Sequence, residues 1–320
     1  MSRQLLLLLS LLLSCKHGFA APAEAALSGT LTSVGSDTLG NLMTRWAEAF
    51  QQLHPGVIVQ VQTPGSSSAP IALTAGAASF GAMSREMHAD ELQRFEQRYG
   101  YAPTRISVAQ DAIVVFVHPD NPLQSLRLLD IAAIFGEAGA CSSSAQDPEQ
   151  RRIEHWNDLD VVDSNFAAQR LLRIGRNGVS GTSAYFSEAT LCGADYRADI
   201  VQLPGSGAVV AAVAQHTNAI GYSGIGYLNA LVKPLALSTA THTTAVSPNN
   251  QTIESGTYPL SRSLYLYFNM KPETAPSVLL ASFFRFILSA PGQGIATREG
   301  FLALSAEQRT TQLTALHLAQ

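Results

Sequence analysis

The sequence lacks the motifs that mark common catalytic and metal sites. Ser223 lies in the segment Gly221–Ile225, which ends in isoleucine where a G-x-S-x-G nucleophile elbow has its last glycine, so the motif is absent. Neither H-E-x-x-H nor C-x-x-C occurs, the eight histidines are scattered, and Gly205–Gly207 lacks the third glycine of a dinucleotide-binding fingerprint. We therefore expect no catalytic residue, no metal site and no cofactor, and the chain is not predicted to be an enzyme.

Positive charge is also scarce. The chain carries 20 Lys and Arg against 24 Asp and Glu, a formal net charge of −4, and its basic residues form no patch along the sequence. This balance excludes nucleic acids and anionic membrane surfaces as expected partners. If such a protein binds an anion, local dipoles and hydrogen bonds must hold the ligand, because the overall field does not attract it.

Cysteines are few. Besides Cys15 in the N-terminal segment, the chain has only Cys141 and Cys192. Two cysteines in an oxidising compartment usually pair, so we predict a Cys141–Cys192 disulfide. Two free thiols are the alternative, because the sequence does not show whether the two Cα atoms come close enough.

Long apolar runs are missing except at the N-terminus. The run Leu5–Leu13 is too short to span a bilayer and is followed by small residues, which is typical of an export signal over residues 1–20, cleaved between Ala20 and Ala21. A lipoprotein anchored through Cys15 is the minor alternative. Removing residues 1–20 takes away two basic residues and no acidic ones, so the mature net charge is −6. We expect a periplasmic or secreted monomer without a transmembrane segment.

Strand-like and helix-like patterns alternate along the rest of the chain, which predicts an α/β fold. Ile113–Val117 is a continuous β-branched and aromatic run, typical of a strand buried on both faces. Between Leu39 and Leu53 the apolar residues recur at helical spacing. With about 300 residues after cleavage, the length suits two lobes of ordinary domain size.

Three turns place small hydroxyl residues and a glycine directly before helical patterns. They are Gly35–Thr38, Gly65–Ser68 and Ser180–Ser183, the last of which follows Arg176 closely. Helix N-termini have unpaired N–H groups and a partial positive charge, so they bind anions readily. Each turn alone is more typical of an ordinary N-cap or a flexible loop. Together they predict a site for a small oxyanion.

The same segments resemble a known family. They are Gly35–Leu39, Gly65–Ser67, Phe80–Arg85, Arg176–Ser183, Gly205–Tyr222, Tyr258–Arg262 and Phe286–Ser289. Between about Leu31 and Phe301 the chain is similar to the periplasmic phosphate-binding proteins of bacterial phosphate ABC transporters. The resemblance implies an exported solute-binding protein that holds inorganic phosphate and delivers it to a membrane ABC permease by lobe closure, without covalent chemistry.

The resemblance also implies a type II periplasmic-binding-protein fold. Each of two lobes has a central β-sheet flanked by helices, and two strands join the lobes. We expect the chain to cross near Ile106–Gln110 and near Leu228–Val232. Lobe I then comprises residues 27–106 and 232–320, and lobe II comprises residues 107–231.

By motif position, the resemblance assigns phosphate-binding roles to eight residues. These are Thr38 through its hydroxyl, Leu39 through its N–H, Ser66, Ser84, Arg176, Ser180, Gly181 and Thr182. The position of Ser84 holds an aspartate in the best-known version of the motif, and Gly178 also replaces an aspartate that braces the arginine. That first aspartate accepts the proton of HPO4²⁻ and rejects sulfate, which has none to give. A site built around one such hydrogen bond discriminates by roughly 10⁴-fold or more.

Two further residues are candidates for the site. Asp37 is either the replacement proton acceptor or the N-cap of the helix at Leu39. Arg85 is either a second cation for the anion or a solvated arginine paired with Glu86 or Glu91.

Other functions stay open at this point. Ser84 leaves room for another oxyanion, such as sulfate, molybdate or tungstate. A phosphate-ester hydrolase that uses the helix starts as an oxyanion cradle is a less favoured alternative, because the sequence offers no nucleophile or metal. The sequence also does not separate a transporter component from a secreted scavenger or sensor.

Overall fold

The computed structural model describes residues 27–141, 152–159, 161 and 164–318. The expected export signal, residues 1–20, and Cys15 lie outside the described residues. Within the described part, no single helix is long and apolar enough to cross a membrane; the adjoining helices Val278–Leu288 and Ala290–Arg298 pass that test only as a pair bent by 61°.

Strands and helices alternate, as predicted. The strands are β1 (Ser28–Gly35), β2 (Gly56–Gln62), β3 (Phe80–Met83), β4 (Thr104–Val117), β5 (Ser125–Arg127), β6 (Leu172–Arg176), β7 (Val201–Leu203), β8 (Ala219–Gly224), β9 (Lys233–Pro234), β10 (Ala236–Ser238) and β11 (Ser261–Phe268). The helices are α1 (Gly40–Leu53), α2 (Ser68–Thr74), α3 (Ala89–Tyr99), α4 (Leu128–Phe135), α5 (Ser164–Ala167), α6 (Gly181–Thr190), α7 (Ser206–Ala214), α8 (Asn250–Glu254), α9 (Val278–Leu288), α10 (Ala290–Arg298) and α11 (Ala306–Ala315).

The described strands form one continuous sheet that runs through both lobes, apart from a small β5–β10 pair. The order is β2-β1-β3-β11-β4-β8-β6-β7, with β9 paired to β4. The first part of β4 pairs antiparallel with β11, and its second part, Ile113–Val117, pairs antiparallel with β8. Strand β4 therefore belongs to both lobes, and the predicted two-lobed α/β fold is confirmed.

Each lobe has its own apolar core. In lobe I, the helices α1, α9 and α10 pack on strands β1, β2 and β11, and a smaller cluster lies between α2 and α3. In lobe II, the helices α4 and α6 pack on one face of the β4–β8 part of the sheet, and α7 packs with β6 and β8. Trp46 belongs to the apolar face of α1 that the helical spacing predicts. It is fully buried, and its indole N–H donates to Gly292 O at 2.8 Å.

The packing also indicates where the chain passes between the lobes. Ala109 belongs to the core of lobe I and Ala112 to the core of lobe II, so β4 crosses at residues 110–111. Residues from Leu235 to Leu260 pack in lobe II, whereas Leu264 packs in lobe I. This packing differs from the expected second crossing near residues 228–232. We propose a second crossing at residues 261–263, the first residues of β11, which pair with residues 110–112 of β4.

The Cys141–Cys192 disulfide is confirmed, with a Cα–Cα distance of 5.1 Å. The polar segment 240–257 contains the short helix α8. The Asn249 side chain accepts from Thr252 N–H and so caps this short helix.

Two carboxylates of lobe II are held by buried arginines. Arg197 Nε donates to Asp199 Oδ1 at 3.0 Å, and Arg173 donates to Asp199 Oδ2 at 3.2 Å. Arg197 also donates to Glu154 Oε1. Hydrogen bonds from Arg197 lower the pKa of both the Glu154 and the Asp199 carboxyl groups, and the charges of the neighbouring arginines add to this effect.

This network predicts a loss of stability in acid. A carboxyl group with a lowered pKa in the folded protein stabilises the fold above its unfolded pKa, about 4, and this contribution is lost as the pH falls through the folded pKa. Glu154→Gln should therefore flatten the decline in the free energy of unfolding between about pH 5 and pH 2, measured by urea denaturation. Glu96→Gln, an exposed change on α3, is the control. Identical declines in wild type and Glu154→Gln would contradict the prediction.

Candidate functional site

Hydroxyl side chains from the predicted turns meet between the lobes. Thr38 Oγ1 and Thr182 Oγ1 lie 2.7 Å apart, although they belong to different lobes. Ser66 Oγ lies 3.3 Å from Ser84 Oγ and accepts a hydrogen bond from Ser84 N–H at 3.1 Å. All four side chains are buried. We refer to Thr38, Ser66, Ser84 and Thr182 as the hydroxyl cluster.

Gly181 brings the two pairs of the cluster together. A Cβ atom at this position would lie 2.2 Å from Ser66 Oγ and 2.7 Å from Ser84 Oγ. Only a residue without a side chain allows the start of α6, in lobe II, to approach Ser66 and Ser84, in lobe I, this closely. The structure therefore places Gly181 against the cluster.

The local backbone explains why the turns have these residues. Gly35 has φ of +153°, and a Cβ there would lie 2.0 Å from Ala82 O, the carbonyl that Ser36 N–H binds at 2.7 Å. Leu39 is the N-cap of α1. Ser180 is the N-cap of α6, and its Oγ accepts from Ser183 N–H at 3.3 Å. The predicted residues Leu39 and Ser180 thus lie at helix starts, where N–H groups are available to an anion.

A buried ion pair that the sequence analysis did not assign to the site adjoins the cluster. Arg262 Nε and one of its terminal nitrogens donate to Asp111 Oδ2, at 2.9 and 2.7 Å. The same terminal nitrogen donates to Thr182 Oγ1 at 3.0 Å, and the other donates to Ser84 O at 2.9 Å. Arg262 is therefore the guanidinium in direct contact with the hydroxyl cluster.

The sequence does carry a signal for this pair. Asp111 is the only charged residue between Ile106 and Val117, and it lies two residues before the run Ile113–Val117 that is predicted to be a buried strand. A carboxylate in such a strand requires a partner. Arg262 ends one of the segments that carry the family resemblance, but nothing in the sequence shows that β11 pairs with β4 and places Arg262 beside Asp111.

Burial dominates the electrostatics of Asp111. The side chain has no exposed surface, which raises its pKa, and the charge of Arg262 opposes this shift. Asp111 Oδ1 accepts from Ile225 N–H at 3.2 Å. The Tyr185 ring lies 5.5 Å from the Arg262 guanidinium carbon, within the range of a cation–π contact. The site thus combines a basic carboxylate with a firmly held cation.

Arg176 has different partners. Its guanidinium lies 3.2 Å from Asp37 Oδ2 and donates to Ser206 Oγ and to Pro204 O. Its Nε atom is buried and has no hydrogen-bond partner among the described residues. Burial lowers the pKa of Arg176, while the charge of Asp37 opposes that shift. Arg176 is therefore buried close to the site but paired with Asp37.

The contacts of Asp37 and Arg85 exclude two of the roles considered for them, the N-cap of α1 for Asp37 and a solvated side chain for Arg85. Asp37 is not the N-cap of α1, because its Oδ2 accepts from Ser206 N–H at 2.8 Å and α1 has no side-chain cap. Arg85 is not solvated. It is buried, forms two hydrogen bonds of 2.7 Å with Glu91, and contacts Ser67. Arg85 donates to Ser67 and Arg262 donates to Thr182 of the hydroxyl cluster, so Arg262 is the better candidate for a second cation.

A cavity of about 700 Å³ opens between the lobes next to this site. Residues of both lobes line it, among them Arg85, His88, Tyr185, Glu188, Arg262 and Tyr265. At its edge, His88 Nδ1 in lobe I lies 3.5 Å from Glu188 Oε1 in lobe II. Among the described residues, no group of three or more His, Cys, Asp and Glu side chains is arranged to hold a metal ion.

Comparisons with known proteins agree with this architecture. Residues 20–291 match the PBP superfamily domain. The chain is 46% identical over 283 residues to phosphate-binding protein PstS of Pseudomonas aeruginosa, which covers 88% of this chain and 85% of that protein. It is 27% identical to protein SphX of Synechococcus elongatus, over 91% of this chain and 81% of that protein.

A solved structure shows the same fold. The ABC-type phosphate transport receptor from Vibrio cholerae superposes with a TM-score of 0.65 at 20% identity, covering 86% of this chain and all of that chain. At this level of identity the likeness concerns the fold. The match to the domain and the similarity to the Pseudomonas protein both extend over most of the sequence. The chain therefore belongs to the PBP superfamily and, within it, to the family of phosphate-binding protein PstS.

Proposed function

We propose that this chain binds inorganic phosphate between its lobes. The observation that carries the proposal is the contact of Thr38 with Thr182 across the lobes, with Arg262 donating to Thr182 Oγ1 at 3.0 Å. The names of its relatives support the same ligand, since the Pseudomonas protein with 46% identity is a phosphate-binding protein.

The chemistry of the site suits an oxyanion. The hydroxyl cluster supplies four O–H groups, and the starts of α1, α2 and α6 supply N–H groups with the positive ends of their dipoles. Arg262 supplies a cation whose planar fork matches phosphate oxygens. No group in this set is an activated nucleophile, so the site binds the anion without forming a bond to it.

Asp111 is the proposed proton acceptor. Ser84 occupies the position where the best-known version of the motif has an aspartate, and the structure has another carboxylate near the cluster. A Cβ atom on Gly224 would lie 3.1 Å from both Asp111 Oδ2 and the methyl carbon of Thr38, so Asp111 and Thr38 both flank Gly224. A carboxylate there accepts the proton of HPO4²⁻ and repels sulfate, which has no proton to donate.

We further propose that the mature protein acts outside the cytoplasm and delivers phosphate to an ABC permease. The export signal expected over residues 1–20 supports this location. Two lobes joined by two chain crossings are the architecture in which hinge closure traps a ligand. The Vibrio cholerae neighbour is described as an ABC-type phosphate transport receptor.

Calorimetry on the phosphate-stripped mature protein tests the proposal. We expect tight binding of phosphate at neutral pH and little binding of sulfate. Equal binding of both anions would mean that the protein binds oxyanions in general and is not specific for phosphate. If neither anion binds, the proposed site is rejected. Hydrolysis of a chromogenic phosphate ester would instead favour the hydrolase alternative.

Asp111→Asn should lower the discrimination between the two anions. The amide cannot act as a negatively charged acceptor and leaves Arg262 unpaired, so phosphate should bind about tenfold more weakly while sulfate binds more tightly. The measurement is the ratio of the two dissociation constants. Asp90→Asn, which removes an exposed ion pair with Arg94 on α3, is the matched control. An unchanged ratio in Asp111→Asn would assign the proton acceptor elsewhere.

A further inference from the structure

Asp37 connects the two lobes by contacts on both its side chain and its backbone. Its Oδ2 atom accepts from Ser206 N–H at 2.8 Å and lies 3.2 Å from an Arg176 terminal nitrogen. Its carbonyl accepts from Tyr227 O–H at 2.7 Å. Asp37 lies between β1 and α1 in lobe I, whereas the other three residues lie in lobe II. These contacts exist only while the lobes are together.

Arg176 and Ser206, the partners of the Asp37 carboxylate, are held in place by contacts within lobe II. Arg176 donates to Ser206 Oγ and, at 2.9 Å, to Pro204 O, so its guanidinium is oriented within its own lobe. Ser206 is the first residue of α7, which makes its N–H part of a helix N-terminus. A carboxylate is stabilised by a helix start and by a guanidinium, and here it meets both.

We propose that Asp37 is an interlobe clasp. Its carboxylate stabilises the closed arrangement through Arg176 and the start of α7, and it raises the affinity for phosphate through closure, without sensing the proton of the ligand. The inference rests on the proposed function. Because apparent affinity falls with the fraction of molecules in the binding-competent state, any loss of closure weakens binding of every ligand by the same factor.

The first test compares Asp37→Asn with wild type. Calorimetry should show phosphate and sulfate both weakened by about tenfold, so that the ratio of their dissociation constants stays at the wild-type value. Small-angle X-ray scattering should show a less compact protein at subsaturating phosphate. Asp90→Asn makes the same chemical change in an ion pair that lies within lobe I, and should behave like wild type.

A second pair of variants isolates the backbone contact. Proline has no N–H and is tolerated at the first position of a helix, and Gly205 has the extended conformation that precedes proline readily, with φ −126° and ψ 149°. Ser206→Pro therefore removes the N–H that Asp37 binds, and Ser206→Ala removes only the hydroxyl. The difference in phosphate affinity between these two variants measures the N–H contact, and thermal melting verifies that both are folded.

Each outcome has a distinct meaning. Equal weakening of both anions in Asp37→Asn, with Ser206→Pro weaker than Ser206→Ala, supports the clasp. Wild-type affinity in Asp37→Asn overturns it. A changed phosphate-to-sulfate ratio also overturns it, because Asp37 would then sense the ligand directly. Failure of the wild-type protein itself to bind phosphate rejects the proposed function, and is distinguished from the other results by that first titration.

Discussion

Replacing Arg262 by alanine is expected to weaken phosphate binding by about a thousandfold or more. The guanidinium contacts Thr182 and the backbone of Ser84, and it neutralises Asp111. Without it, the proposed site loses a cation, and the buried Asp111 loses the charge that opposes the upward shift of its pKa. Calorimetric titration with phosphate measures the effect.

Three further variants serve as controls for the Arg262→Ala measurement. Arg285→Ala removes an exposed arginine on α9 and should bind like wild type. Arg262→Lys keeps the charge but loses the planar fork, so its affinity should be intermediate. Breaking a buried ion pair costs about 3–5 kcal/mol of stability, so the Arg262→Ala, Asp111→Asn double variant should regain stability without regaining affinity. Wild-type affinity in Arg262→Ala would remove Arg262 from the site.

Gly181→Ala is expected to weaken binding by roughly a hundredfold while each lobe stays folded. The new methyl group would lie 2.2 Å from Ser66 Oγ and 2.6 Å from Ser66 Cβ, and these atoms belong to the opposite lobe. The short side chain of Ser66 cannot move away, so the lobes must stay further apart. The dissociation constant and the compactness of the phosphate-bound protein, measured by small-angle scattering, report the effect.

Gly178→Ala is the matched control for this change. It adds the same methyl group three residues earlier, where no heavy atom lies within 4 Å of the added carbon. Its affinity and compactness should match those of wild type. If Gly181→Ala closes and binds like Gly178→Ala, the contact between α6 and Ser66 is not required for the bound state.

Much of the fold could be predicted from periodicity. The apolar spacing from Leu42 to Phe50 gives α1, the run Ile113–Val117 gives the lobe II part of β4, and the three glycine–hydroxyl turns lie at helix starts, as expected. Each of these patterns depends on neighbours within about one turn or one strand. Such patterns can be read from the sequence because the residues that produce them are close together along the chain.

The features that the sequence missed depend on distant pairings. The second chain crossing was placed near residue 230, because residues 235–260 have no pattern that shows which core they join. Asp111 and Arg262 are 151 residues apart and meet only through the antiparallel β4–β11 pairing. The partner of Asp37 was similarly out of reach, since Ser206 is 169 residues away and is selected by how the elements pack. The pairing of Arg85 with Glu91, six residues away, was within reach of the sequence.

If the chain crosses between the lobes where we propose, Asp111 and Arg262 lie at the two crossings, and this position sets the order in which contacts between the lobes break. When one body rotates about a hinge, atoms near the axis move least and atoms far from it move most. The pair lies next to the axis, whereas His88 and Glu188 lie at the edge of the cavity. For a phosphate bound as we propose, a small rotation about these crossings would separate the outer contact first, while the ligand still touches Arg262. Opening of the cleft and release of the ligand would then be separate events.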